Sequence, residues 1–162
     1  EIHRQEQYFR NLQLTLTDDL DPIRIHGFID RVDRVGDKLL VVDYKTGSRG
    51  IDTSEMEDGR DFQMMTYIMA LMTILEMTDS NLEVAGGMFW HLRSLKSSGV
   101  FDVNNDEDMK AVNTAKEHIA TNLKAGREGK FAVHAKHIEE GKCVRYCEFS
   151  HLCRMSVTNP YK

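Results

Sequence analysis

Ile23-Arg-Ile-His-Gly-Phe-Ile-Asp-Arg-Val-Asp-Arg-Val-Gly-Asp-Lys-Leu-Leu-Val-Val-Asp-Tyr-Lys45 is the stretch that decides the fold. Ile23, Ile25 and Ile29 recur at every second position across residues 23–30, the pattern of a strand with one apolar face. Leu39 to Tyr44 is rich in Leu and Val and nearly continuously apolar, as expected of a strand buried on both faces. Gly36-Asp37 between them is a two-residue hairpin signal. A two-residue loop there sets Val35 opposite Lys38 and, counted back along both strands, Asp30 opposite Asp43.

Directly opposed residues have Cβ atoms about 4.5–5.5 Å apart, and two like charges there destabilise the pair unless something neutralises them. A divalent cation is the natural solution, because hard ions such as Mg²⁺ are held by one or two carboxylates and keep several waters. Period two puts Lys45 on the face of Asp43 and turns Tyr44 to the other side. A lysine beside a metal-bound water and a phosphate can orient the nucleophile and offset the charge that develops at phosphorus. His26 and Phe28 share the Asp30 face by the same alternation, and His26 is a minor functional candidate. Taken alone, an Asp-x-Lys reads as a structural salt bridge, with Asp30 paired to Arg31 or Lys45.

Outward from the hairpin, residues 6–16 carry a loose alternation ending in Leu12, Leu14 and Leu16, a strand with a possible helical start. Asp18 to Pro22 is turn-like, and residues 47–60 are polar, Gly-containing and without period, hence a loop. From Asp61 to about Met77 the apolar residues recur at helical spacing, and the methionines among them read as core filler. Glu83 to Leu92 is expected as a strand, and Asp106 to about Ala125 as a helix closed by Gly126. The expected class is α/β (α+β).

The 162 residues fit one domain, with 131–162 as its cysteine-bearing tail. With 41% hydrophobic and 29% charged residues and only 2 Pro, the composition is that of a globular chain rather than a disordered one. No apolar run approaches the ~20 residues that cross a bilayer, so no membrane partner is expected. The first residue is not Met, which predicts a fragment or processed chain. Residues 1–109 carry 11 Lys+Arg against 21 Asp+Glu, and residues 110–162 carry 10 against 5. The basic half suits an anionic partner, with Lys110, Lys116, Lys124, Arg127 and Lys130 as candidate phosphate contacts, although such runs are commonly a solvated helix face.

Cys143-x3-Cys147-x5-Cys153 is a compact trio in the tail. An odd, clustered set is no secreted disulfide framework and predicts a reducing, cytoplasmic compartment. Thiolates at this spacing suit an iron-sulfur cluster or zinc, and His137 or His151 would complete a Cys₃His zinc site.

Gly27-Phe-Ile-Asp30-Arg31-Val-Asp33, then Asp43-Tyr44-Lys45-Thr46-Gly47, then Gln63-x-x-x-Tyr67 resembles the PD-(D/E)XK nuclease superfamily, and within it the RecB/AddB-type exonuclease branch. The resemblance implies a restriction-endonuclease-like core, a central mixed β-sheet flanked by helices, with the first core helix missing. It also implies Asp30, Asp43 and the Tyr44 carbonyl as ligands of Mg²⁺ or Mn²⁺, Lys45 as the catalytic lysine, and Gln63 and Tyr67 beside the site on DNA. Arg31 and Asp33 belong to the motif and are assigned to structure. The family core begins with a helix bearing an acidic or His ligand, for which this chain has little room. Glu6 is a stand-in, or the ligand lies upstream. The tail is similar to one in which three cysteines join a distant fourth around a 4Fe-4S cluster, except that the first gap here is three residues where the family has two.

The implied function is a metal-dependent DNA nuclease, an exonuclease that processes DNA ends in repair and recombination, with DNA and a helicase-like region or subunit as partners. The alternatives are a non-catalytic DNA-binding module with a metal-stapled tail and a zinc-stabilised interaction domain.

Overall fold

The computed structural model describes residues 1–47 and 62–131. The chain divides into two compact units, Glu1–Lys124 and Ala125–Lys162. The tail cysteines, His137, His151 and residues 48–60 of the expected loop lie outside the described residues.

The elements run β1 (Ile2–Leu14), β2 (Ile23–Val35), β3 (Lys38–Lys45), α1 (Gln63–Met77), β4 (Glu83–His91), β5 (Lys96–Asp102) and α2 (Asp106–Arg127). Among the described residues the strands form a five-stranded sheet in the order β1-β2-β3-β4-β5. Of these strands β3 and β4 are the parallel pair, and α1 lies in the crossover that such a pair requires. The sheet is therefore mixed, in keeping with the α/β expectation.

The β2–β3 hairpin has the register set by Gly36-Asp37, running from Val35 opposite Lys38 to Arg31 opposite Val42. β3 is buried at Leu39, Val41 and Val42, because strands lie on both sides of it and helical side chains cover it. Burying side chains of this size stabilises a fold by roughly 1.5–3 kcal/mol each relative to leaving them exposed. α1 supplies Met64, Met65, Ile68 and Met69 to the same core, so its methionines do fill gaps in the packing. It lies so close to β4 that a Cβ at Gly87 would come within 2.3 Å of the Met64 sulfur.

Several expectations need correction. The first segment is strand from Ile2 onward, with no helical start. Its alternation looks loose because Glu6 and Asn11 take left-handed backbone angles and the register slips between Ile2 and Arg4 and between Phe9 and Leu12. Leu16 lies beyond the strand, yet it is buried in the core. β5 is not foreseen by the sequence pattern, since Lys96-Ser-Ser-Gly carries no apolar alternation and is ordered by pairing with β4. α2 does not close at Gly126. Gly129, at φ 74°, takes the left-handed position, and Lys130 N–H reaches back to Ala125 O at 2.8 Å, a Schellman closure.

Candidate active site

β2 and β3 stop exchanging ladder bonds after Arg31 and Val42, and the two aspartates stand at that point. The next backbone donor on β3, the N–H of Tyr44, is taken by the Asp30 carboxylate at 3.0 Å. Asp43 is 3% exposed, one of two buried polar or charged side chains among the described residues. Its Oδ2 lies 2.8 Å from Lys45 Nζ and its Oδ1 accepts from Gln63 Nε2 at 3.1 Å. Lys45 also donates to Gln63 Oε1, and its ammonium sits 4.8 Å from the ring centre of buried Phe89. Gln63 Nε2 is 3.0 Å from the Tyr67 hydroxyl, so the i, i+4 pair shares one helical face as its spacing requires.

The first turn of α1 thus closes over the end of β3. Phe62 offers this helix no side-chain cap, and its first residue, Gln63, is committed to the site instead. The amide of Gln63 serves as donor to the carboxylate and acceptor for the ammonium at once, which fixes both charged groups in one orientation.

Arg31, Asp33 and Tyr44 occupy the opposite face of the hairpin. Arg31 Nε and Nη2 grip the Asp33 carboxylate at 2.7 and 2.6 Å, and Nη1 reaches the Tyr44 hydroxyl at 3.2 Å. The hydrogen bonds to Asp33, and after them the one to Tyr44, hold the guanidinium even more firmly protonated than usual. The simple salt-bridge reading of Asp30 therefore fails in its particulars: Arg31 pairs with Asp33, and Lys45 pairs with Asp43.

Glu6 does not complete a ligand set. Gln5 pairs with Arg31 and Gln7 with Ile29, so Glu6 sits across from Asp30 in register, but it is exposed at φ 54°. Among the described residues no three His, Cys, Asp or Glu side chains gather into a metal-holding group. His26 is exposed on β2. Of the basic residues on α2, Lys124 pairs with Asp19, and beyond the helix Lys130 pairs with Glu128.

Asp30 and Asp43 nonetheless suit a hard cation. They are carboxylates on adjacent strands at one end of the hairpin, and Mg²⁺ asks for only one or two such ligands with water completing its shell.

Sequence reasoning missed His91. It is 5% exposed at the end of β4, beside Lys45 in the parallel register. Its Nδ1 lies 2.9 Å from the Gly47 carbonyl, so Nδ1 carries the proton and donates, and Nε2 lies 2.7 Å from Ser98 Oγ. The sequence signal for it was no more than a histidine at the last position of an apolar strand.

A mixed sheet with two aspartates and a lysine at the splayed end of its central hairpin is a nuclease-type arrangement. The family model of the PD-(D/E)XK nuclease superfamily matches residues 1–154, and the chain belongs to that superfamily. Within it, the chain is similar to streptococcal proteins named as the B subunit of an ATP-dependent helicase/deoxyribonuclease. It is 32% identical to that of Streptococcus mutans over 122 residues, 74% of this chain and 10% of the relative. It is 36% identical to that of Streptococcus pyogenes serotype M1 over 88 residues, 54% of this chain and 8% of the relative. The Streptococcus agalactiae protein is 32% identical over 103 residues, 63% of this chain and 9% of the relative. The chain thus spans at most about a tenth of these relatives. No solved structure matches it significantly.

Proposed function

We propose that the chain is the nuclease part of a larger DNA-processing protein and hydrolyses phosphodiester bonds in DNA, as an exonuclease acting on ends during repair and recombination. The observation that carries this reading is the constellation of Asp30, Asp43 and Lys45 at one end of the β2–β3 hairpin, fixed by Gln63. Asp30, Asp43 and the Tyr44 carbonyl would hold Mg²⁺ or Mn²⁺, which when bound supplies Lewis acidity and a more acidic water. Lys45 orients the attacking water and offsets the negative charge that builds on the phosphate. Gln63 keeps Lys45 and Asp43 aligned, and Gln63 and Tyr67 border the DNA. The buried Phe89 ring shields one side of the Lys45 ammonium from water and strengthens these interactions.

The names of the relatives support a DNA substrate and a helicase region or subunit as partner. In the complete protein, linear DNA should be degraded in the presence of Mg²⁺, and Asp43→Ala should abolish degradation. Equal rates in wild type and Asp43→Ala would refute the site assignment. DNA binding with no metal-dependent cleavage in the wild type would instead favour the non-catalytic module.

We further propose that Cys143, Cys147 and Cys153 bind a 4Fe-4S cluster in the complete cytoplasmic protein, with a fourth cysteine from elsewhere. Iron and acid-labile sulfide in anaerobically purified protein are the expected result, and zinc without iron would contradict it.

A further inference from the structure

Around Tyr8 and Phe28 one side of the β1–β2 pair is buried and the other is open, although Val32 further along that open side is covered, and the open stretch is not merely polar. Tyr8 and Phe28 are directly opposed partners in the antiparallel register. They are 56% and 58% exposed, while their chain neighbours Phe9 and Ile29, pointing to the other side, are 6% and 0% exposed. An antiparallel sheet with one covered face ordinarily presents polar residues outward. Two large rings paired on the outward side form a contiguous apolar patch rather than scattered surface residues.

The surroundings of the rings point to their ligand. Strand alternation places Arg24, His26, Phe28 and Asp30 on one face of β2, and Arg10 follows Tyr8 on the same face of β1. Arg10, Arg24 and His26 are all exposed. The open face thus carries cationic groups at one end, the aromatic pair in the middle and, at the other end, the carboxylate of Asp30 with Glu6 across from it in register. Phe28 and Asp30 are two strand positions apart, about 7 Å along the chain.

We propose that Tyr8 and Phe28 form a stacking platform for the unpaired bases of a nucleic-acid strand whose backbone runs past Arg10 and Arg24 toward Asp30. This rests on the nuclease reading above and adds a subsite to it. A base can lie flat on an exposed ring only when its own face is free, so the platform takes single-stranded rather than duplex substrate. Arginine at the far end supplies the phosphate contact that holds the strand in place without reading its sequence.

The test uses the complete protein with EDTA present, so that binding is measured without cleavage. A single-stranded oligonucleotide carrying 2-aminopurine should be quenched on binding. Tyr8→Ala and Phe28→Ala should each relieve the quenching and weaken binding by roughly five-fold or more, the range for loss of one stacked base, with duplex binding unchanged. Both rings are largely exposed, so these variants should keep the wild-type circular dichroism, and Phe28→Trp should retain quenching. Arg10→Ala should lower the salt dependence of binding by about one phosphate contact. Wild-type affinity and quenching in the double variant Tyr8→Ala/Phe28→Ala would overturn the proposal, as would loss of self-association or of contact with a partner protein in place of an effect on DNA. A wild-type protein that quenches the probe but never cleaves DNA would refute the catalytic reading and leave the platform standing.

Discussion

Gln63 is the residue on which the site's geometry turns, since one amide holds both the Asp43 carboxylate and the Lys45 ammonium. Removing such a supporting contact typically costs 10–100-fold in metal affinity or activity. Gln63→Ala should therefore lower the cleavage rate by about that factor while leaving the fold intact, as steady-state kinetics beside circular dichroism would show. Tyr67→Phe removes one hydroxyl from Gln63 and should cost only a few-fold. On the other face, Arg31→Ala leaves the Asp33 carboxylate without its two bonds and should destabilise the protein by about 1–3 kcal/mol in urea unfolding. The position of Asp30, Asp43 and Lys45 at one end of the hairpin was legible in the sequence because a two-residue turn and a period of two fix its register, which the ladder follows as far as Arg31 and Val42. The reach of Gln63 to Asp43 was not, because it depends on where the crossover sets down α1. His91 was hidden for the same reason: its partners Gly47 and Ser98 come from β3's exit and from a strand with no hydrophobic signature.

At the scale of elements, both helices end in the same way with different residues. α1 closes on Asp79 at φ 47°, with Ser80 N–H bonded to Leu75 O at 3.1 Å, whereas α2 closes on Gly129. A left-handed backbone costs a non-glycine residue about 1 kcal/mol, so Asp79→Gly should raise stability by about that amount in denaturant titration. α2 begins at Asn105, whose side-chain oxygen accepts the N–H of Glu107 at 2.9 Å and of Asp108 at 3.2 Å. Asn105→Ala should lose about 1 kcal/mol. At the end of β5, the Asp102 carboxylate accepts the backbone and then the side-chain N–H of Asn104, which holds it below the usual carboxylate range. A depressed folded-state value means stability present at neutral pH and lost as the pH falls through it. The stability gap between wild type and Asp102→Ala should accordingly narrow below about pH 4. β2, β3, β4 and α1 were legible from periodicity, whereas β5 and the true end of α2 were set by pairing with β4 and by a glycine three residues beyond the one the pattern suggested.

At the scale of the whole molecule, the described acidic residues in the first two thirds of the chain stand in two kinds of setting. Some carboxylates pair with cations, as Asp19 does with Lys124, Asp33 with Arg31 and Glu83 with Lys38. Asp30 and Asp43 stand at the end of the central hairpin, where Asp30 accepts the Tyr44 N–H and Asp43 pairs with Lys45. Under the proposed function these two aspartates hold a divalent cation. Mn²⁺ titration of the complete protein, with free ion counted by electron paramagnetic resonance, tests it most directly. Asp30→Ala and Asp43→Ala should each bind one Mn²⁺ fewer than wild type or bind it at least ten-fold more weakly, while Lys45→Ala should retain it. Identical Mn²⁺ binding by wild type and both aspartate variants would rule out a cation held by this pair.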